Sequence, residues 1–403
     1  MRSSAIEPLL PEPHRRSAGD LADIALSLER EAAALANIVP RSVRDSIADL
    51  MRIANSYYSN RIEGNDTRPA AIIAAMKRTD LHSPARALQR QAKAHVEVEK
   101  LAEEKLEREP ETEPCSADFL RWLHYEFYSR VDESLRWVED PVTKRREPVV
   151  PGEFRTYEVT VGRHLAPEHG DIESLLDHAM TRYRTDSLHG LDRVLAFAAS
   201  HHRLMWIHPF GDGNGRVIRL ATMMFGRKLG VGAIGLWTPS RGLARNRDGY
   251  MAAMAEADLP RRNDLDGRGS LSLESLERFT RFFLDVCLDQ VRFMRGILSL
   301  DGLGARLESY AHLRTEGFAT GPAGTLRPEA GRLLRYCLVA GELLRGETGA
   351  AAGVHPRTAH TIVRALIADG LLWSSTPRGP LKIRIPPHAV RYLLPELYPE
   401  GVD

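Results

Sequence analysis

Along most of the chain, apolar residues return every three to four positions, the spacing of helices with one buried face. From Asp20 to about Asn37 they fall at Leu21, Ile24, Ala25, Leu28, Ala32 and Leu35, with Asp20 placed to cap the first turn. Pro40 interrupts the pattern. Ser42 can then cap a second helix carrying Val43, Ile47, Leu50, Met51 and Ala54. That helix runs into SNRIEGN and should end near Gly64 and Asn65, residue types that tolerate a left-handed C-terminal cap. Helical spacing recurs over roughly 69–78, 84–108, 116–129, 171–184, 190–207, 214–229, 246–256 and 272–298. Strict alternation is scarce. Its best example is EFRTYEVTVG (153–162), where Tyr157, Val159 and Val161 alternate with polar residues just after Pro151-Gly152. The pattern predicts one hairpin in an otherwise helical domain.

Near residue 300 the texture changes. RTEGFATGPAGTLRP (314–328) is rich in Gly, Pro and Thr and reads as part of an interdomain linker over 301–327. Beyond it the spacing predicts helices at 328–340, about 342–351 and 356–370. Two strand-like pieces then flank a Pro-Arg-Gly-Pro turn in LLWSSTPRGPLKIRIPP. Three helices and a small hairpin are the order of a winged helix-turn-helix. The expected organisation is therefore N-terminal helices over 1–68, a helical domain over 69–300, the linker, and a winged helix over 328–403. A fragment ending near 321 should fold alone.

Composition adds bounds. At 403 residues the chain exceeds one typical domain, and 43 % apolar with 27 % charged residues is ordinary for a globular protein. A net charge of +1 gives no global pull toward nucleic acid or membrane. Cys115, Cys287 and Cys337 form no CxxC pair, so neither a disulfide framework nor a structural zinc site is expected. The N-terminus MRSSAIEPLLPEPHRR lacks a signal peptide's apolar core, and no 18-residue apolar run occurs. The expectation is a cytoplasmic protein that meets no membrane. No P-loop and no GxGxxG after a strand is present.

The candidate chemistry lies in HPFGDGNGRVIRL (208–220), polar up to Arg216 and then apolar through Val217, Ile218, Leu220, Ala221, Met223, Met224 and Phe225. A helix starting near Gly213 leaves the backbone N–H groups of Gly213, Asn214, Gly215 and Arg216 without intrahelical partners, and its dipole favours an anion there. Arg216 and Arg219 are three residues apart and can grip phosphate oxygens as forks. Asp212 at the mouth suits Mg²⁺, which is usually held by one carboxylate with phosphate oxygens and water. His208 titrates near neutrality and can take a proton from an attacking hydroxyl. A calcium loop is disfavoured, because Arg216 takes its fifth position and no glutamate stands at its twelfth. His201 and His202 lie on a core-rich helix and read as hydrogen-bonding core residues rather than metal ligands.

This stretch resembles the Fic family signature HPFx(D/E)GNGRxxR at every fixed position: His208, Pro209, Phe210, Asp212, Gly213, Asn214, Gly215, Arg216 and Arg219. The resemblance extends over much of 115–295, including LAFAASHHRLMWI and EFRTYEVTVGRHLAP. It implies an all-α Fic domain with a short β-hairpin flap, and an enzyme that transfers AMP from ATP to a Ser, Thr or Tyr hydroxyl of a target protein. By the same resemblance His208 is the general base, Asp212 the Mg²⁺ ligand, and Gly213, Asn214 and Gly215 the phosphate cradle, with Arg216 and Arg219 as clamps. The hairpin at 153–164 is implied to align the target as an added strand, with Val161, Gly162, Arg163 and His164 lining the nucleotide. Tyr250 falls where the family often sets an aromatic against the adenine.

SNRIEGN also resembles the family's inhibitory signature (S/T)xxxE(G/N), through Ser59, Glu63 and Gly64. A glutamate paired with Arg219 would take the place of a γ-phosphate, with Ser59 within reach of Asn214 or the nearby loop. On the predicted winged helix, Arg357, Thr358, His360 and Arg364 could face a DNA groove, with Arg378, Lys382 and Arg384 on the wing. From residue 321 onward ten Lys and Arg stand against seven Asp and Glu, only mildly basic. The implied partners are ATP, an unnamed target protein and the chain itself as a target, with DNA and a second copy left open. Transfer of UMP or phosphate, AMP removal, or nucleotide sensing by a DNA-binding regulator stay open beside AMP transfer.

Overall fold

The computed structural model describes residues 3–12, 17–78, 86–139, 144 and 146–399. The chain forms two compact units that are interleaved in sequence: 1–32, 55–234 and 238–290 in one, 33–54, 235–237 and 291–403 in the other. Helices appear where the apolar spacing predicts them: α1 (Ser17–Ala36), α2 (Arg41–Ile62), α3 (Pro69–Met76), α4 (Ala87–Arg108) and α5 (Ala117–Tyr128). The predicted start of α4 at 84 lies outside the described residues. Two hairpins follow, β1 (Trp137–Glu139) with β2 (Arg146–Pro148) and β3 (Thr160–Val161) with β4 (His164–Leu165). Then come α6 (Ile172–Tyr183), α7 (Leu191–Ile207), α8 (Asn214–Lys228), α9 (Pro239–Arg245), α10 (Arg247–Ala257) and α11 (Leu273–Ile297). Gly64 ends the turn after α2 at φ +85°, as its position predicts.

In the larger unit, α8 packs against α4, α5 and α7 and is buried at every residue from Asn214 to Gly226. Each large apolar side chain so buried contributes roughly 1.5–3 kcal/mol. That packing fixes the N-terminal end of α8 and the loop feeding it. The strand predicted over 153–162 shrinks to Thr160–Val161, whose partners are Leu165 and His164. Upstream of it the backbone is spent otherwise. The Arg155 N–H donates to Pro209 O at 3.0 Å, and its buried guanidinium donates to the carbonyls of His208, Tyr157 and Pro167. The β1–β2 hairpin, three residues a side, carried too little alternation to be predicted.

The smaller unit corrects the predicted boundaries. Residues assigned to a linker form α12 (Leu300–Thr315), with Leu303, Leu307, Tyr310, Ala311 and Arg314 buried. Arg314 makes a fork on Asp369 at 2.7 and 2.8 Å, both side chains fully buried, and Asp369 also accepts the Ala323 N–H at 3.2 Å. The Gly- and Pro-rich stretch is therefore tied down. Residues 33–54 belong to this unit as well. Ser42 Oγ donates to Gly341 O (2.9 Å), Ser46 Oγ accepts the Ile385 N–H (2.9 Å), and Tyr398 donates to Leu50 O (3.1 Å). Ser42, Ser46 and Leu50 are four apart on one face of α2, so 1–68 is not a separate piece.

The rest of the unit is α13 (Ala330–Ala340), α14 (Thr348–Ala352), α15 (Pro356–Asp369), β5 (Leu372–Trp373), β6 (Lys382–Ile383) and α16 (Val390–Leu393). β5 and β6 pair antiparallel, and Leu343 adds a bridge to Leu381 with N···O of 2.8 Å in both directions. No helix among the described residues is long and apolar enough to cross a membrane.

Candidate nucleotide site at the start of α8

His208 closes α7 in a left-handed conformation (φ 49°, ψ 60°), which turns the chain out of the helix and leaves the ring half-buried. The ring makes no hydrogen bond among the described residues, while Arg155 Nε holds its carbonyl at 2.9 Å. Burial, helped by the nearby Arg155 and His164, pushes its pKa down to about 4, so the imidazole is neutral near pH 7. The loop to α8 is self-closing. Asn214 Oδ1 accepts the Phe210 N–H at 2.9 Å, and Asn214 Nδ2 donates to Phe210 O at 2.7 Å. Asn214 thus shapes the loop with its side chain. Gly213 caps α8 at φ +80°, a conformation that disfavours any Cβ.

Asp212 and Arg216 pair at 3.0 Å. Burial opposes ionisation of Asp212, but Arg216, the Tyr128 hydroxyl and the Gly213 N–H together keep its pKa below the usual value. Arg219, buried, is held by α2. Its Nε donates to Ser59 Oγ at 2.9 Å, and its Nη2 donates to Ser59 O at 3.0 Å and Glu63 Oε1 at 2.6 Å. Ser59 therefore meets Arg219 itself, where Asn214 or the loop was expected. The Glu63 carboxylate lies against Gly215, where a Cβ would collide with Oε1. An anion already occupies the N-terminal end of α8, the position the helix dipole favours.

Around this centre, His164 Nε2 lies 2.8 Å from Trp206 O, at the foot of α7, and Nδ1 lies 3.7 Å from Asp258. Val161, Gly162 and Arg163 form the exposed tip of the β3–β4 hairpin. Tyr250 departs from expectation. It is buried, its hydroxyl lies 2.8 Å from His201 Nε2 and bonds Arg219, and no ring face is open to an adenine. It supports Arg219 instead. His201 also meets Thr222 Oγ1 at 2.9 Å, and His202 meets Asp258 at 3.0 Å, which makes both the hydrogen-bonded core residues expected.

Sequence reasoning missed three residues here: Arg155, His124 and Tyr128. His124 stacks between Phe210 (4.0 Å) and Tyr128 (4.4 Å), and the Tyr128 hydroxyl donates to Asp212 Oδ2. The spacing of His124 and Tyr128, one turn apart on the otherwise apolar buried face of α5, was the one available signal. Among the described residues no cluster of three or more His, Cys, Asp or Glu could cage a metal ion. A lone carboxylate at an anion-binding helix end fits Mg²⁺ arriving with a nucleotide, and does not fit a resident metal.

Residues 114–225 match the model of the Fic/DOC family. The chain carries a Fic/DOC family domain over these residues. Protein adenylyltransferase Fic of Drosophila mojavensis is 40 % identical over 77 residues, which cover 18 % of this chain and 15 % of that protein. The Aedes aegypti protein of the same name is 39 % identical over 74 residues, with the same coverage. The matched stretch thus spans a small part of those relatives and centres on the Fic domain. A crystal structure of a Fic family protein from Desulfovibrio desulfuricans G20 superposes with a TM-score of 0.51 at 17 % identity, covering 93 % of this chain and 98 % of that one, a likeness of fold.

Proposed function

We propose that this Fic protein transfers AMP from ATP to a Ser, Thr or Tyr hydroxyl of a target protein, itself included, and that Glu63 restrains it. The observation carrying this reading is the α8 N-terminus, with a neutral His208 on one edge and a carboxylate on Arg219 where a phosphate would sit. The target hydroxyl gives its proton to His208 as its oxygen bonds to the α-phosphorus. The bond from that phosphorus to the β-phosphate oxygen breaks, and pyrophosphate leaves. The N–H groups at Asn214, Gly215 and Arg216 and the guanidinium of Arg216 stabilise the phosphate charge. Asp212 would hold Mg²⁺, which neutralises and orients the phosphates. While Glu63 sits on Arg219, a γ-phosphate has no seat there. The names of the curated relatives and the complete signature favour ATP over other donors.

The test is incubation with Mg²⁺ and ATP labelled on its α-phosphate, read by intact mass. An AMP adduct on the chain supports the reading. ATP binding without an adduct, in both the wild type and Glu63→Gly, makes the protein a nucleotide sensor instead.

A second reading concerns the C-terminal unit. It is a winged helix-turn-helix, with α15 as recognition helix, the β5–β6 hairpin as wing, and duplex DNA as partner. The supporting observation is charge. Arg357, Arg364, Arg378 and Arg384 are exposed and meet no acidic group among the described residues, and His360 lies on the same face of α15 as Arg357 and Arg364. Lys382 is paired with Glu342 at 3.7 Å. Asp369, the one acid between 353 and 386, is buried on Arg314.

A further inference from the structure

Tyr128, the last residue of α5, makes contacts that core packing does not require. Its ring is fully buried against His124, and its hydroxyl donates to Asp212 Oδ2. Arg216 Nη2 approaches the same hydroxyl at 3.3 Å and the same carboxylate oxygen at 3.0 Å. The ring also fills the hollow left by Gly213, where a Cβ would come 2.5 Å from Cε2 and 2.7 Å from the hydroxyl. His124 is fixed in turn. The Gly152 N–H donates to its Nδ1 at 2.9 Å, which leaves the proton on Nε2, 3.3 Å from Asp212 O. One aromatic column, Phe210 on His124 on Tyr128, therefore sets the loop from beneath and ends in a phenol on the carboxylate.

We infer that Tyr128 is a positioning residue for the divalent cation that accompanies the nucleotide, an inference that rests on the reading of Asp212 given above. Arginine and carboxylate prefer a fork in which both oxygens are used. Asp212 and Arg216, four apart at the start of α8, can close such a fork. It would withdraw both oxygens from a cation and the guanidinium from a phosphate. The phenol prevents this by holding Oδ2 where Arg216 reaches that oxygen alone, and Oδ1 is left for the cation.

The test compares Glu63→Gly with Glu63→Gly/Tyr128→Phe, so that Glu63 does not compete with the nucleotide. Phenylalanine keeps the column and the packing on Gly213 and removes the hydroxyl alone. Calorimetry measures ADP affinity with Mn²⁺ and with EDTA. The gain in affinity conferred by Mn²⁺ should shrink by roughly 10–100-fold in the Phe variant, while ADP affinity in EDTA and the melting temperature change little. High Mg²⁺ should restore self-labelling by the Phe variant, whereas Asp212→Ala should not recover. A fluorotyrosine installed at 128, which keeps the donor, should retain the full gain even if the Phe variant folds poorly. An equal gain with Tyr and Phe at 128, or loss of the gain with fluorotyrosine, overturns the inference. A parent with no Mn²⁺-dependent gain at all overturns the assignment of Asp212 first, and this inference with it.

Discussion

Replacing Glu63 with glycine should raise self-labelling by the protein. Arg219 makes two hydrogen bonds to Ser59 on α2 and one, at 2.6 Å, to the Glu63 carboxylate in the turn after it. The substitution removes only the charged one, so the arginine stays in place and becomes free to meet an incoming phosphate. A hydrogen bond between charged partners contributes about 1.5–3 kcal/mol. The Glu63 side chain is 36 % exposed, which argues for the low end of that range. About 1.4 kcal/mol corresponds to a tenfold change in rate, so self-labelling should rise by about tenfold or more. A misplaced α-phosphate adds to the difference, since about 1 Å of error can cost on the order of 10²-fold. The assay is the initial rate of AMP incorporation at saturating ATP and Mg²⁺, with binding measured separately. Glu63→Gly/His208→Ala should be silent, because relief of inhibition does not replace the base. A Glu63→Gly protein that folds, binds ATP and labels no faster than wild type would refute the reasoning and leave Glu63 as a helix-end residue.

Three more outcomes follow from the geometry. Because the pKa of His208 is lowered to about 4, its neutral, proton-accepting form persists below the ordinary histidine range. The kcat/KM of Glu63→Gly should stay level from neutral pH down to about 5, and an acid limb centred near 6.5 would contradict the burial argument. The same shift costs stability as pH falls below the unfolded value, since the unfolded chain then takes up a proton that the folded site refuses. Cutting the chain after residue 321 removes Asp369, the partner of Arg314, together with α13, which packs on α12, and so bares Leu303 and Leu307, each worth roughly 1.5–3 kcal/mol when buried. The fragment should melt broadly or precipitate, and a sharp wild-type melt would show that the unit tolerates the cut. If α15 and the hairpin grip duplex DNA, Arg364→Ala and Arg378→Ala should each reduce the slope of log K against log salt by about one; an unchanged slope would place the contact elsewhere.

The readable parts of this molecule are those whose chemistry is contiguous. His208, Asp212, the glycines, Arg216 and Arg219 lie within one turn and the start of one helix, and the loop's polarity against the buried run after it marks the site without any neighbour. Helices such as α7 and α8 were equally legible, because a 3.6-residue period is a local property. Contacts between distant segments were not. Tyr128 and Asp212 are 84 residues apart, and Arg155 and His208 are 53 apart; nothing in either local pattern names the other. Ser42 and Gly341, 299 residues apart, explain why the boundary at 68 failed. The helix α12 was hidden by Gly302 and Gly304 and by the Gly- and Pro-rich stretch after it, whose backbone is held by Asp369 rather than by its own propensity. Tyr250 was misjudged because its position was carried across a loop of variable length, and only its burial against His201 reveals which way it faces.

The carbonyls gathered by Arg155 give the β3–β4 hairpin a footing separate from its tip. The footing is welded to the segment that carries His208, so a change there should shift that ring. The tip, Val161 to Arg163, is exposed and spends no side chain on that weld. Such a division leaves the tip open to exchange of its surface residues while the footing stays as it is, much as a tool takes a new bit while its grip stays the same.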